Sequence, residues 1–259
     1  MPVDDNMPPS ALPRVEEITL RDLAVSLRSG WRDFRRAPGY GLFFSSVYTV
    51  AGILLIHFGA GTLAWTLTVS LGFPLVAPFA AVGLYEISRR LEKGEGLNWY
   101  GILGVVFREK DRQLPWAGAV IVIYFLFWTF LAHMIFALFM GPGAMTNVTS
   151  SLDIYLTRVG LAMILTELAV GGVLAFVLFA LTVVSLPLLL EREVDFVTAM
   201  LLSMSAVRNN LTVMAVWSFS VAILLFAGML PYFLGLLFVL PVLGHSTWHL
   251  YRRTLKDSA

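Results

Sequence analysis

Few side chains in this chain could do chemistry. The segment GHSTWHLYRR, residues 244–253, holds His245 and His249 four positions apart, so on a helix they share one face. That pair could bind a metal or brace a haem. A zinc-protease helix, however, needs a glutamate directly after the first histidine as general base, and Ser246 stands there. A catalytic zinc also needs a third ligand and an open coordination position. The plainer reading is a helix end anchored at a membrane surface by its histidines and Trp248, beside Arg252 and Arg253.

The other two histidines, His57 and His133, fall toward the opposite ends of apolar segments. All four therefore cannot form one cluster, although His57 with His133 could ligate a single b-type haem. A haem–copper catalytic subunit would need more spans and more ligand histidines than this chain has. Glu167 is the one acid well inside an apolar run. A carboxylate within a membrane is costly and marks function by default, so it is a candidate for proton or ligand linkage. At the run's outer edge it would instead cap the helix or pair with Arg158. The mixed stretches EISRRLEKGEG and EREVD read as solvated faces. No Gly-rich phosphate loop or GxSxG is present, no carboxylate pair falls where a cleft is expected, and the chain has no cysteine. Disulfides, thiolate zinc sites and iron–sulfur clusters are thus excluded. We expect no enzyme activity, no bound cofactor and no nucleic-acid partner.

These candidates must be held by helices in lipid. The chain is 58% hydrophobic and only 14% charged, with a mean hydropathy of +0.79, far from the roughly 25% charge of soluble domains. No Asp, Glu, Lys or Arg lies between Arg36 and Glu86, or from Gln113 to Leu152, or from Leu211 to Tyr251. Since about 20 apolar residues cross a bilayer, the pattern predicts an all-α, polytopic membrane protein. Its six spans are near residues 40–58, 63–86, 116–139, 166–188, 212–229 and 232–251. As one helix, the run 211–251 would be about 60 Å long, twice the hydrocarbon core of roughly 30 Å. It therefore divides near GMLPYF, where Gly228 and Pro231 favour a turn. Of the Lys and Arg residues only Arg158 then falls on the far side, which predicts both termini in the cytoplasm. Residues 1–14, acidic and Pro-rich, read as a disordered lead-in rather than a secretory signal. The membrane domain covers 15–255 and a tail covers 256–259. The segment NVT at Asn147 fits a glycosylation sequon.

Before the first span, Leu20, Leu23, Leu27, Trp31 and Phe34 recur every three or four residues, with Arg21, Arg28, Arg32 and Arg35 mostly elsewhere around the helix. This is an amphipathic helix suited to the membrane interface, ended by Pro38 and Gly39. The stretches before the third and fifth spans have a similar character. Phe34-Arg35, Phe107-Arg108 and Val207-Arg208 each precede a pair of spans, which suggests three copies of an interfacial helix plus a hairpin. Gly41, Gly52, Gly83, Gly171 and Gly172 would allow close helix packing.

The blocks SLRSGWRDFRRAPGYGLFF, PLVAPFAAVGLYEISRRLEKGE, PLLLEREVDFVTAML and LPVLGHSTWHLYRR resemble an alphaproteobacterial family of integral membrane proteins of unknown function. The resemblance runs from about residue 20 to 255, and its last block is the most specific. It departs from the family where Asn210-Leu211 stands in place of an expected Asn-Pro. The resemblance implies a bacterial inner-membrane location and brings no activity or site residue. Some relatives carry loose cytochrome-oxidase-related labels. The expectation is a non-enzymatic protein acting through lipid or another membrane protein, with an accessory or assembly role at a respiratory complex as one version. The alternatives are a small-molecule or lipid transporter, supported by Glu167 and by Pro74, Pro78, Pro187 and Pro241, and a haem- or metal-binding protein.

Overall fold

The computed structural model describes residues 13–57, 63–109, 111–141 and 155–257, without the side chains of 55, 56 and 63–76. Asn147 and the side chain of Pro74 lie outside the described residues, as does most of the HFGAGT turn. Among the described residues the helices are, in order, α1 (Leu20–Arg36), α2 (Pro38–His57), α3 (Leu63–Lys93), α4 (Trp99–Glu109), α5 (Leu114–Met140), α6 (Arg158–Thr182), α7 (Ser185–Glu191), α8 (Phe196–Asn209), α9 (Leu211–Met229) and α10 (Leu236–Thr254). Two short strands, β1 (Arg14–Val15) and β2 (Leu255–Lys256), pair antiparallel with Arg14 opposite Lys256. Arg14 and Lys256 thus belong to a paired element, not to a loose lead-in and tail. Their pairing closes both ends of the described chain onto one side of the bundle.

The architecture is all-α apart from this pair. Three helical stretches are long and apolar enough to cross a membrane: α5, α6 continued through α7, and α9. The bent pair α1–α2 adds a fourth when counted as one span.

Local sequence explains most boundaries. Thr19 and Asp22 form a reciprocal capping box at the start of α1, and Pro38 permits a new helix to begin after a bend of 102°. Thr157 caps α6 by accepting from the Gly160 amide, so that helix starts well before residue 166 and places Glu167 in its interior. The long run to Glu191 breaks at Val183 and Val184, between α6 and α7. There Ser203 of α8 accepts from the Val184 amide at 3.1 Å and donates to the Ala180 carbonyl at 2.7 Å, engaging backbone groups that the break exposes. The run from 211 divides as expected. Its turn holds Tyr232 and Phe233 at φ 51° and 65°, a left-handed conformation unfavourable for bulky residues. Thr49 donates to the Phe233 carbonyl at 3.3 Å, and the Phe233 ring seats against Gly52, where a Cβ would lie 2.3 Å from it.

The core sits toward one end of the bundle. Val82, Tyr85, Leu114, Leu188, Met214, Trp248 and Leu250 are buried together there, with the inner faces of α1, α4 and α8 packed beside them. Farther from that end, Phe127, Phe130 and Leu138 of α5, Leu165 and Leu168 of α6, and Phe219 and Phe226 of α9 point outward. A soluble monomer does not carry so continuous an apolar surface.

Candidate functional site

The densest polar chemistry lies where α1, α3 and α10 meet. The inner face of α1 is formed by Leu23, Ser26, Gly30, Asp33 and Phe34, spaced three and four apart as one helix face requires. Gly30 allows the approach to α10: a Cβ there would lie 2.6 Å from the Ser246 amide nitrogen and 2.8 Å from the Val242 carbonyl oxygen. The expected apolar stripe of α1 is therefore divided. Leu23 and Phe34 enter the bundle, whereas Leu20, Leu27 and Trp31 remain exposed.

This contact brings Asp33 to His249, with Oδ2 and Nε2 2.6 Å apart. His245 reaches α3 instead, its Nδ1 2.8 Å from the Ser88 hydroxyl. Asp33, Ser88 and His245 are buried, the last two completely. Burial pushes the Asp33 carboxyl up, but the hydrogen bond and charge of His249, with the Ser88 hydroxyl, outweigh it. Together they hold Asp33 below the ordinary aspartate value. Asp33 and His249 share one hydrogen bond, and Ser88 and Nδ1 of His245 share another. Nε2 of His245 is buried without a partner among the described residues.

Serine, histidine and aspartate suggest nucleophilic catalysis, but the connections differ. In a triad the acid orients the same imidazole that activates the hydroxyl. Here Asp33 holds the other histidine, and the Ser88 hydroxyl is enclosed. The arrangement braces three helices.

Charged partners surround it. Glu86 is fully buried and takes both Arg89, at 2.7 Å, and Arg90, at 2.6 Å. Glu92 accepts from the Trp248 indole at 3.0 Å and from Arg252 at 3.2 Å. Glu191 accepts from Arg252 at 3.0 Å and from the Tyr251 hydroxyl. Arg253 meets Asp22 at 3.0 Å, and Arg192 meets Asp257. Asn210 ties down the incoming chain, accepting from the Ile18 amide at 2.8 Å and donating to the Glu16 carbonyl at 3.0 Å. Glu86, Arg89 and Arg90 of EISRRLEKGEG and Glu191 and Arg192 of EREVD are thus drawn into internal braces, while residues 92–96, Glu193 and Asp195 remain exposed. His245 and Trp248 are likewise fully buried, not surface anchors. Asp33 and Ser88 were not singled out in the sequence. The signal for Asp33 was its place in the 23–26–30–33 series of small and apolar residues, which the larger Leu–Trp stripe obscures.

The other candidates lie elsewhere. His57 is the exposed last residue of α2, which packs chiefly on α10 and α3. His133 is exposed on α5, which packs chiefly on α3 and α6, and its Nδ1 lies 2.7 Å from the Thr129 carbonyl oxygen. Across the α5–α6 contact the Tyr124 hydroxyl donates to the Leu174 carbonyl at 2.7 Å. One turn along, Gly171 receives the Trp128 ring, to which a Cβ would come within 2.7 Å. The next step of this antiparallel register brings His133 beside Glu167. Glu167 is half-buried, neither caps α6 nor pairs with Arg158, and makes no hydrogen bond to the described residues. Gly41 and Gly83 fill close contacts as expected, but a Cβ on Gly172 would meet nothing within 4 Å. Among the described residues no group of three or more His, Asp or Glu could hold a metal ion.

Apolar helices with ionic braces at one end define an integral membrane protein. The chain is similar to a family described as "Predicted integral membrane protein (DUF2189)" over residues 66–191, just under half its length. That match runs from α3 to the end of α7 and leaves out both α1 and the GHSTWHLYRR block. No curated protein and no solved structure matches the chain.

Proposed function

We propose that this is a non-enzymatic protein of a bacterial inner membrane, acting through contacts with another membrane protein or with lipid. In this reading α2, α3, α5, α6 with α7, α9 and α10 are six spans, the termini are cytoplasmic, and the three short-helix-plus-hairpin units descend from one repeat. An accessory or assembly role at a respiratory complex is the version that the sequence resemblance favours. One observation carries the reading: the buried ionisable groups near α10 are engaged with each other, while α1, α4 and α8 turn large apolar side chains outward. Trp31 on α1, Tyr100 and Phe107 on α4, and Leu201 on α8 are all exposed. Native-level purification in mild detergent with mass spectrometry should recover a membrane-protein partner or retained lipid in fixed proportion. A chain that always elutes alone and delipidated would overturn the proposal.

A second reading, transport, has its own support in Glu167 facing His133 across α5 and α6. Under it, Glu167→Gln abolishes uptake by proteoliposomes. Undiminished uptake by that variant would leave Glu167 with a packing role only.

A further inference from the structure

We propose that the outer face of α1 binds the phosphate headgroups of acidic phospholipids. This rests on the membrane-contact reading above and names the lipid. Arg21, Arg28, Arg32 and Arg35 follow one another at seven, four and three residues, so at about 100° per residue they form a single stripe. All four are exposed, and among the described residues none pairs with a carboxylate. The helix contains two acids, which would offset this charge if they lay beside it. Both are engaged with α10 instead: Asp22 bonds Arg253 at 3.0 Å, and Asp33 bonds His249 at 2.6 Å. The outward surface of α1 is therefore cationic and carries no competing carboxylate.

Its orientation matches a membrane surface. Leu20, Leu27 and Trp31, exposed at 56%, 36% and 47%, make a second stripe between the bundle-facing side and the arginines, about a quarter turn from the latter. The 102° bend at Ala37 sets α1 nearly at right angles to α2. With α2 crossing the bilayer, α1 lies in its plane. Leu20, Leu27 and Trp31 then enter the acyl boundary, and the guanidiniums stand at phosphate depth. Arginine suits this position because its planar fork donates two hydrogen bonds to one phosphate. Basic residues at such a surface attract acidic lipids with about a fivefold gain in affinity each.

The test uses the full chain in a neutral detergent, with thermal unfolding followed during titration with phosphatidylglycerol or phosphatidylcholine. Phosphatidylglycerol should raise the midpoint and phosphatidylcholine should not, and 0.5 M salt (on the order of a 4 Å screening length) should remove most of the rise. Arg21→Gln, Arg28→Gln, Arg32→Gln and Arg35→Gln should each lower the apparent affinity for phosphatidylglycerol about fivefold. Equal effects of the two lipids, or a rise insensitive to both salt and these substitutions, would overturn the proposal. The salt arm uses wild-type protein and so stands even where a variant fails to fold. Quenching by brominated phosphatidylcholine, compared between wild type and Trp31→Phe, separates this inference from its parent. Quenching of Trp31 without acidic-lipid preference sinks only the headgroup assignment. No quenching of Trp31 removes α1 from the membrane surface and ends this inference, while its parent falls only if the chain always elutes alone and delipidated.

Discussion

The two ends of the α5–α6 and α1–α10 pairs treat charge in opposite ways. Around α10, Asp22 and Asp33 of α1, Glu92 of α3 and Glu191 of α7 each meet a histidine, arginine, tryptophan or tyrosine. In α5–α6 a single half-buried carboxylate faces a single histidine without a hydrogen bond between them. A buried charge is tolerated where its pairing and hydrogen bonds repay its desolvation. The first region meets that condition and acts as a brace. The second leaves Glu167 with unused hydrogen-bonding capacity, which is where a bound proton or solute would act.

If the contrast is real, its largest consequence lies at Asp33. Asp33→Ala removes the partner of His249 from a closed site, and should destabilise the protein by about 3 kcal/mol, measured by unfolding in detergent. A loss near zero would mean that the network adds no rigidity. Gly30→Ala comes next. Its Cβ would press on the Ser246 and Val242 backbone, which cannot rotate aside, so about 2 kcal/mol should be lost through overpacking. Gly172→Ala, at an open position, should change stability little and serves as the matched control.

Much of the helical frame could be read along the chain, because long uncharged runs and local caps act over a few residues. The expected spans 116–139 and 212–229 lie within two residues of α5 and α9. The expected start at 166 was late because Thr157 supplies a cap in a stretch chosen by apolarity alone. The shared face of His245 and His249 was also legible. Their partners were not, since Asp33 is 216 positions from His249 and Ser88 is 157 from His245. Helix packing decides such pairings, and no local period records it. The same holds for Glu167 and His133, which were noticed separately and meet only through the register of α5 against α6.

Acid sharpens the comparison at smaller amplitude. The Asp33 and Asp22 carboxyls are both held below their ordinary value of 3.8. For Asp33 burial opposes the shift and His249 leads the groups that produce it; for Asp22 the main cause is the Thr19 hydrogen bond. A depressed folded-state pKa means that the unfolded chain takes up the proton more readily. The stability these groups contribute is therefore complete above the unfolded value and declines as pH falls through the folded one. The gap in unfolding midpoint between wild type and Asp33→Asn should be wide at neutral pH and narrow below about pH 4. A gap that stays constant would show that the aspartate's charge is not what braces α1.

The smallest stability effect belongs to the other region, and there a small number is the informative one. Glu167→Gln keeps the side chain's size and removes only its charge. Because Glu167 has no hydrogen bond or ion pair to the described residues, unfolding should shift by no more than about 0.5 kcal/mol. His133→Gln should behave alike, and the double variant should add nothing beyond the sum, since a pair that does not support the fold has no coupling to lose. A clear coupling energy would instead make α5–α6 a second brace and erase the contrast with α1–α10. A silent pair keeps the contrast: the carboxylate and imidazole then persist at a packed helix contact without contributing to its stability. Any change in growth or uptake in those same variants would have to come from what the pair binds.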